Sequence, residues 1–359
     1  MPARPLASVL LPVRDGARHL HEAISSLEAQ TLEDFEVIAV DDGSTDETPD
    51  VLAAWAARDA RVRVHTQPAS GIVAALEHAR ASAQAPYLAR VDADDVSEPT
   101  RLARQLALME ADATLVACGS GVTYFPEEEV REGTLRYQAW INAAVTPDEL
   151  TREIFVECPL AHPTFFLRTG AVEAVGGYRD AGWPEDYDLL LRLWAAGGRL
   201  GKVPEPLLRW REGPDRLSRT DPRYTPEAFL ACKVHHLRRT LLRGRVGVVV
   251  WGAGPVGKAA ARALMATPAA GAAGATPRAT PSTPLLAFVD LDPRKIGQEI
   301  HGAPVLDTEQ GLEVGLRSGP GGGRVLHLAA VGQPGARERI RATLEGGGLR
   351  ELEDFVAIA

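Results

Sequence analysis

The sequence has little cysteine and no long apolar run. Its three cysteines, Cys118, Cys158 and Cys232, are far apart and form no C-x-x-C pair, so neither a disulfide framework nor a zinc site is predicted. The N-terminal residues lack the apolar region of a signal peptide, and no stretch reaches the ~20 apolar residues of a membrane span. These absences predict a protein of the reducing cytoplasm, whose membrane contact would be at most peripheral, at the inner face.

Positive charge is also in short supply. Lys and Arg number 39 against 48 Asp and Glu, a net charge of -9, and the absence of a basic tail argues against nucleic acid as a partner. Of the 359 residues, 45% are hydrophobic and 24% are charged, as in ordinary globular proteins. The length favours two domains, and nothing in the composition indicates an oligomeric state.

Apolar runs alternate with helix-like stretches in the first part of the chain. Runs typical of strands lie at residues 8–13, 35–40, 61–65 and 87–91. Such alternation predicts an α/β fold with a mainly parallel sheet. In sheets of this kind, ligands bind beyond the carboxyl ends of the strands.

Two of the predicted strands end in acidic turns, which would lie on the same rim of the sheet. The acids are Asp41, Asp42, Asp92, Asp94 and Asp95. Crowded carboxylates disfavour one another's ionised form unless a cation lies among them. Asp oxygens suit Mg²⁺ or Mn²⁺, and Mg²⁺ usually also binds substrate phosphates. The pattern therefore indicates a divalent metal that arrives with a diphosphate, or, alternatively, a turn that caps the next helix.

A second acidic pair lies much farther along the chain. Glu185 and Asp186 follow Pro184 and precede a leucine-rich run, which is typical of a helix N-terminus. An acid on a different wall of a cleft could also accept the proton of an attacking hydroxyl. The two interpretations are compatible, because a helix N-terminus both positions an acid and lowers its pKa.

Taken together and in order, these motifs resemble those of the family 2 glycosyltransferases, whose nucleotide-sugar-binding fold is called GT-A. The likeness covers about the first two thirds of the chain. Any one motif alone would be a weak signal. The matching segments are Pro12-Val13, residues 40–46, residues 92–95, residues 159–164, Gly176-Gly177-Tyr178 and residues 184–189.

The resemblance implies an enzyme that transfers a sugar from a nucleotide-sugar donor to a hydroxyl of a saccharide or lipid-linked acceptor. It implies dependence on Mn²⁺ or Mg²⁺, inversion at the anomeric carbon, and a part in cell-surface polysaccharide or glycoconjugate synthesis. Asp94 and Asp92 would hold the metal, Asp186 would be the general base, and Glu185 would assist it. The residues implied for nucleotide-sugar binding are Pro12, Val13, Asp15, Asp41, Asp42, Asp92 and Arg211.

Some positions carry alternatives or depart from the family. His162 is predicted either to orient the acceptor or to be a core histidine, and Trp183 either to stack on an acceptor sugar or to be a half-buried interface residue. The family often has Asn where this chain has Asp15 and Glu77, which predicts altered nucleotide contacts. Many members have His at the position of Arg211, which leaves this arginine a phosphate contact or a solvated side chain.

A second domain is predicted over residues 244–359, after a first domain of residues 1–243. An apolar strand leads into Gly252-x-Gly254-x-x-Gly257 and a helix, the dinucleotide-binding signature. After a low-complexity stretch, residues 266–284, Asp290 ends the next apolar strand and would hold a ribose. This pattern predicts a smaller Rossmann-like α/β module, which either binds NAD(P) or another nucleotide or serves only for packing.

Two other functions remain open at this point. A nucleotidyltransferase also uses metal-bound carboxylates on a similar sheet, but it would need a longer Gly-rich basic loop than Arg14-Asp15-Gly16. A non-catalytic nucleotide-sugar sensor, with the second domain as its output, would bind donor without turnover.

Overall fold

The structure is a computed structural model that describes residues 4–214, 216–266, 283–316 and 324–359. Most of the predicted low-complexity stretch, residues 267–282, lies outside the described residues. The chain divides into two compact units, each treated by itself below. The first comprises Met1–Thr151, Cys158–Asp180 and Glu185–Asp221, and the second Arg152–Glu157, Ala181–Pro184 and Pro222–Ala359.

This division differs from the predicted boundary after residue 243 in two respects. It counts residues 222–243 with the second unit, and it assigns to that unit two short segments from the earlier part of the chain. Neither segment carries a compositional signal that would mark it in the sequence. The predicted boundary remains a prediction.

The first unit is built on a mixed sheet whose strand order is β3-β2-β1-β4-β7-β6-β8-β5. Strands β3, β2, β1 and β4 run parallel to one another, and β6 runs parallel to β8. β7 is antiparallel to β4 and β6, and β5 is antiparallel to β8. The strands are β1 Ala7–Val13, β2 Phe35–Asp41, β3 Val62–Thr66, β4 Tyr87–Arg90, β5 Val96–Ser97, β6 Leu115–Phe125, β7 Phe166–Arg168 and β8 Arg199–Arg211.

Helices cover this sheet because their apolar positions share one face. In α1, the residues Leu20, Ala23, Ile24 and Leu27 are all buried, as the 3.6-residue period predicts. Leu20, Ile24 and Leu27 pack with strand residues into one core, and β2 is buried along its whole length. The helices are α1 Ala17–Glu28, α2 Thr48–Arg58, α3 Ile72–Ser82, α4 Arg101–Ala111, α5 Glu132–Ala143, α6 Pro147–Glu153, α7 Thr169–Ala174, α8 Glu185–Ala195 and α9 Leu217–Thr220.

The second unit contains a smaller sheet in the order β11-β12-β10-β9-β13-β14. The five strands from β12 to β14 in that order are parallel, and β11 runs antiparallel at one edge. The predicted smaller α/β sheet of the C-terminal region is therefore confirmed. Its elements are α10 Pro226–Arg239, β9 Gly247–Trp251, α11 Pro255–Met265, β10 Leu285–Val289, β11 Glu299–Ile300, β12 Ala303–Leu306, α12 Thr308–Leu316, β13 Val325–Ala329, α13 Ala336–Gly346 and β14 Phe355–Ala357.

The segment Arg152–Glu157 is held in the second unit by ion pairs and by a half-buried lysine, Lys233. Glu153 accepts hydrogen bonds from Arg337 at 2.9 Å and from Arg341 at 2.7 Å. The ammonium group of Lys233 donates to the carbonyl oxygens of Val156, at 2.6 Å, and Ile358, at 2.9 Å. Because these charges and carbonyls are largely buried, losing their partners would be costly.

Among the described residues, no helix combines the length and the apolar character needed to cross a bilayer.

Candidate active site

The acidic turns after β2 and β4 lie on one rim of the first sheet, as predicted. β1 pairs in parallel with both strands, with Val13 opposite Asp41 and Leu10 opposite Arg90. The backbone N–H of Asp42 also donates to the carbonyl oxygen of Val13 at 2.8 Å. The carboxyl ends of the three strands therefore meet at the same edge, where a ligand would bind.

The carboxylate of Asp42 forms hydrogen bonds to the backbone of that rim. Its side chain is buried, with Oδ1 accepting the N–H of Ser70 and Oδ2 the N–H of Gly71, both at 2.8 Å. These bonds fix the backbone at the start of α3. Asp41 is equally buried, and its Oδ1 accepts the N–H of Ser44 at 3.0 Å. Nucleotide binding by the two acids remains a prediction.

The turn after β1 is tied to the turn after β2. The backbone N–H of Asp15 donates to Oγ of Ser44 at 2.9 Å, and Oδ1 of Asp15 accepts the N–H of Thr45 at 2.7 Å. Asp15 has a φ of 47°, a left-handed conformation that Asp tolerates better than most residues. Half-buried Pro12 and buried Val13 end β1 beside this turn. All three predicted nucleotide contacts thus belong to the rim.

Asp92, Asp94 and Asp95 form a carboxylate cluster, with one oxygen from each lying within 4.8 Å of the others. Asp92 and Asp94 are half-buried and Asp95 is buried. Burial, and next the charge of Asp92, raise the pKa of Asp94 to about 6 and the pKa of Asp95 well above its usual value. Among the described residues, the buried Oδ2 of Asp95 has no hydrogen-bond partner. Carboxylate oxygens crowded in this way fit a hard divalent cation.

Two buried arginines lie close to the cluster. No role for them was predicted from the sequence. The Arg90 guanidinium is 2% exposed and contacts Oδ1 of Asp92. Arg101 is fully buried and donates to the carbonyl oxygens of Pro163 and Arg90. An arginine inside the apolar run of β4 is the signal that could have identified Arg90 from the sequence, because a buried charge is costly without a partner.

Arg211 is held close to the cluster by three contacts. Its backbone N–H donates to Oδ1 of Asp95 at 2.7 Å, its Nε donates to the carbonyl oxygen of Asp94 at 2.7 Å, and its Nη2 pairs with Glu22 at 2.9 Å. The predicted phosphate contact by Arg211 remains a prediction. A second cation, Arg216, lies over the ring of Trp210 at 4.4 Å, and its charge lowers the pKa of Asp94.

Glu185 and Asp186 begin α8, with Glu185 fully buried and Asp186 half-buried. Burial, and next the charge of Glu185, raise the pKa of Asp186 to about 7, and Arg90 opposes that rise. Arg90 also opposes the rise in the pKa of Asp94. One buried guanidinium thus acts on both acids, so the two acidic motifs converge on one region of the first unit.

His162 is a buried neutral histidine rather than a cation. Burial, and next the charge of Arg90, lower its pKa well below the usual value. Its Nε2 lies 3.2 Å from the hydroxyl of Tyr178, and its Nδ1 lies 3.7 Å from Oε1 of Glu185. It therefore lies beside Glu185, one member of the predicted catalytic pair. The other predicted acceptor residue, Trp183, belongs to the second unit, where its ring lies 4.8 Å from that of His235.

The glycine turn of the second unit is shaped by packing. A Cβ on Gly257 would lie 1.8 Å from the carbonyl oxygen of Gly252, whereas one on Gly254 would meet nothing within 4 Å. Oδ2 of Asp290 accepts the N–H of Ala253 at 2.9 Å and pairs with Lys295 at 2.8 Å. The carboxylate predicted to hold a ribose is thus engaged within the unit. Binding of NAD(P) or another nucleotide there remains a prediction.

Comparisons with known proteins agree on one family. The family model described as glycosyl transferase family 2 matches residues 8–176. EpsE of Bacillus subtilis (strain 168), named as a glycosyltransferase, is 30% identical over 243 residues, which are 65% of this chain and 84% of that protein. The amylovoran biosynthesis glycosyltransferase AmsE of Erwinia amylovora is 26% identical over 215 residues, or 59% of this chain and 78% of that one.

A solved structure supports the fold. The crystal structure of S. aureus TarS 1–349 in complex with UDP-GlcNAc matches with a TM-score of 0.53 at 15% identity, covering 64% of this chain and 66% of that chain. At a sequence identity this low, the match supports a shared fold and nothing more specific. It confirms the predicted GT-A-type arrangement, with its mainly parallel sheet.

Proposed function

The chain belongs to the family 2 glycosyltransferases, and from that premise we propose that it transfers a sugar from a nucleotide sugar to a hydroxyl of a saccharide or lipid-linked acceptor. The reaction is a single in-line displacement that inverts the anomeric carbon. Because a relative is named for amylovoran biosynthesis, we place the reaction in polysaccharide or glycoconjugate synthesis. The observation that carries the proposal is that Arg90 connects the two acidic motifs: its side chain contacts Asp92 of the carboxylate cluster, and its backbone N–H donates to the carbonyl oxygen of Phe165, whose ring packs against His162 beside Glu185.

The donor lies along the rim formed by β1, β2 and β4. Asp41 contacts the base or ribose, and Asp92 lies near the ribose, while Asp42 holds the start of α3 in place. The TarS structure was determined with UDP-GlcNAc, which supports a nucleotide sugar as the ligand of this fold. Arg211, whose Nε binds the carbonyl oxygen of Asp94, and Arg216, whose charge acts on Asp94, are the cations that would meet the diphosphate.

Asp94 and Asp92 would hold Mn²⁺ or Mg²⁺. The two carboxylates lie close enough to crowd one another. Because both are half-buried, they are still open to a ligand. When bound, the divalent ion offsets negative charge that develops on the departing diphosphate. Asp95 remains beneath them, with one oxygen fixed by the backbone of Arg211.

Asp186 takes the proton of the acceptor hydroxyl as that oxygen attacks the anomeric carbon. A pKa of about 7 suits a general base at neutral pH, because about half of the group is then ionised and the ionised form is still basic. Glu185 sustains this value through its charge, and its own carboxylate is fully buried beside neutral His162. The displacement inverts because the base and the leaving group lie on opposite faces of the sugar ring.

The test is turnover with a panel of nucleotide sugars, Mn²⁺ and saccharide or lipid-linked acceptors, read as release of the nucleoside diphosphate. Asp186→Asn should lower transfer by ~10²-fold or more while leaving donor affinity nearly unchanged. Asp50→Asn is the matched control, since Asp50 is also a first-turn acid but is exposed on α2. Donor binding without turnover in the unaltered protein would instead support the sensor function, and a normal rate for Asp186→Asn would remove it as the base.

A further inference from the structure

Glu77 lies on α3 in a position where the family often has Asn, and its carboxylate does not point to a nucleotide. Oε1 accepts the backbone N–H of Tyr178 at 2.6 Å, although the two residues are 101 apart in sequence. Both oxygens also bind Arg80, at 2.7 Å for Oε2 and Nη2 and 2.9 Å for Oε1 and Nε. The acid therefore joins the helix that follows the nucleotide rim to the turn after α7.

That turn is shaped to receive a carboxylate. Gly176 and Gly177 have φ values of 82° and 65°, in the region that favours glycine. A Cβ on Gly177 would lie 2.4 Å from Oε1 of Glu77, so a side chain there would displace the acid. The Gly-Gly-Tyr motif matches the family, and here its glycines leave the space that Glu77 fills.

The same turn is attached to the helix that carries the proposed base. Nη1 of Arg192, on α8, donates to the carbonyl oxygen of Val175 at 2.8 Å, and Arg192 is itself paired with Asp188 at 2.7 Å. The side chain of Tyr178 reaches His162, whose Nδ1 lies near Glu185. The turn thus contacts α8 directly through Arg192 and indirectly through His162.

We propose that Glu77 is a positioning residue, which holds the turn at residues 175–178 so that Tyr178, His162 and the start of α8 are correctly placed for the acceptor. It contacts neither the nucleotide nor the reacting atoms. At the start of α3, Asp42 fixes residues 70 and 71, so the helix is attached to the donor rim at its start and to the acceptor-side turn at Glu77, in its middle. The inference rests on the proposed function, because it assigns the acceptor to the α8 side.

The experiment compares Glu77→Ala with Glu77→Gln. The alanine variant loses the acceptor for the Tyr178 N–H, so we expect kcat for transfer to fall ~10-fold or more while donor affinity changes less than ~2-fold. The glutamine variant keeps a carbonyl oxygen for that N–H, and we expect it to retain most of kcat. Arg80→Met is the matched control: it removes the ion-pair partner of Glu77 but leaves the bond to Tyr178.

A second readout does not depend on turnover. Amide hydrogen exchange at Tyr178 should be faster by ~10-fold or more in Glu77→Ala than in Glu77→Gln, because only the first variant loses the bond. Unchanged exchange at Tyr178 would overturn the inference even if activity fell. A loss of donor affinity as large as the loss of kcat would also overturn it, in favour of a nucleotide contact. If the unaltered protein turned over no donor, the proposed function would fail, while the exchange result would still decide the role of Glu77 in holding the turn.

Discussion

The acid–base chemistry of Asp186 should be visible as a pH profile of transfer. Burial and the charge of Glu185 raise the pKa of Asp186 to about 7, and the base must be ionised to accept a proton. The ionised fraction is then about one in eleven at pH 6 and about ten in eleven at pH 8. We expect kcat to rise about tenfold between those two pH values and to level off above them.

Replacing the neighbouring acid sets the direction of a second test. Glu185→Gln removes a negative charge whose presence raises the pKa of Asp186. The midpoint of the profile should therefore move to lower pH, by about one unit for a close charge. Because Glu185 is fully buried, Gln is chosen to keep its volume and a hydrogen-bonding oxygen.

The assay measures kcat at saturating donor, acceptor and Mn²⁺ from about pH 5.5 to about pH 9, because both the rise and the plateau of the profile must be seen. Saturating Mn²⁺ is needed since protonation of Asp94, with a pKa of about 6, would otherwise weaken metal binding in the same range. A profile that is flat through pH 7, or a shift to higher pH in Glu185→Gln, would refute Asp186 as the base.

Four further outcomes are expected. Asp94→Asn should abolish the Mn²⁺ dependence of donor binding measured by calorimetry, and unchanged affinity with and without chelator would argue against the metal site. Because the pKa of Asp186 is raised from its usual value near 4 to about 7 in the fold, stability is lost progressively as the pH rises from about 4 to about 7. Asp186→Asn should thus change the stability of the fold little below about pH 4 and stabilise it by an amount that grows by about 1–3 kcal/mol between pH 4 and pH 7, as read by thermal melting. Gly257→Ala should destabilise the second unit by ~2 kcal/mol or more, since its Cβ would lie 1.8 Å from a carbonyl oxygen, whereas Gly254→Ala should melt like the unaltered protein. A chain ending at Leu242 should be less stable and less soluble than the full chain, because the segment Arg152–Glu157 loses its partners; an equal melting temperature would contradict this.

The rim and its acids were predictable because they depend on short-range patterns. An apolar run followed directly by Asp residues can be recognised in the sequence. A parallel sheet then brings the carboxyl ends of neighbouring strands together by topology alone. The register of β1 with β2 and β4 then placed Asp41 and the start of the Asp92 turn at one edge. Nothing beyond motif order and strand alternation was needed.

The supporting contacts were not predictable, because they join residues far apart in sequence. Glu77 and Tyr178 are 101 residues apart, and Glu153 lies 188 residues before Arg341. The periodic pattern of apolar residues in the sequence does not predict contacts between residues so far apart. In the first case the unusual Glu was visible, but its partner was a backbone N–H, which every residue except proline offers.

Two buried arginines near the carboxylate cluster weaken the argument for a metal ion there, but they do not remove it. Crowded carboxylates need positive charge nearby, and the sequence pointed only to a divalent ion, whereas the fold already supplies Arg90 and Arg101. If these guanidinium groups balanced the cluster fully, Asp94 and Asp95 would not have raised pKa values. Burial, and next the charge of Asp92, instead raise the pKa of Asp94 to about 6 and that of Asp95 well above its usual value. A cation that bound Asp92 and Asp94 would offset both the cost of burying these carboxylates and their mutual repulsion.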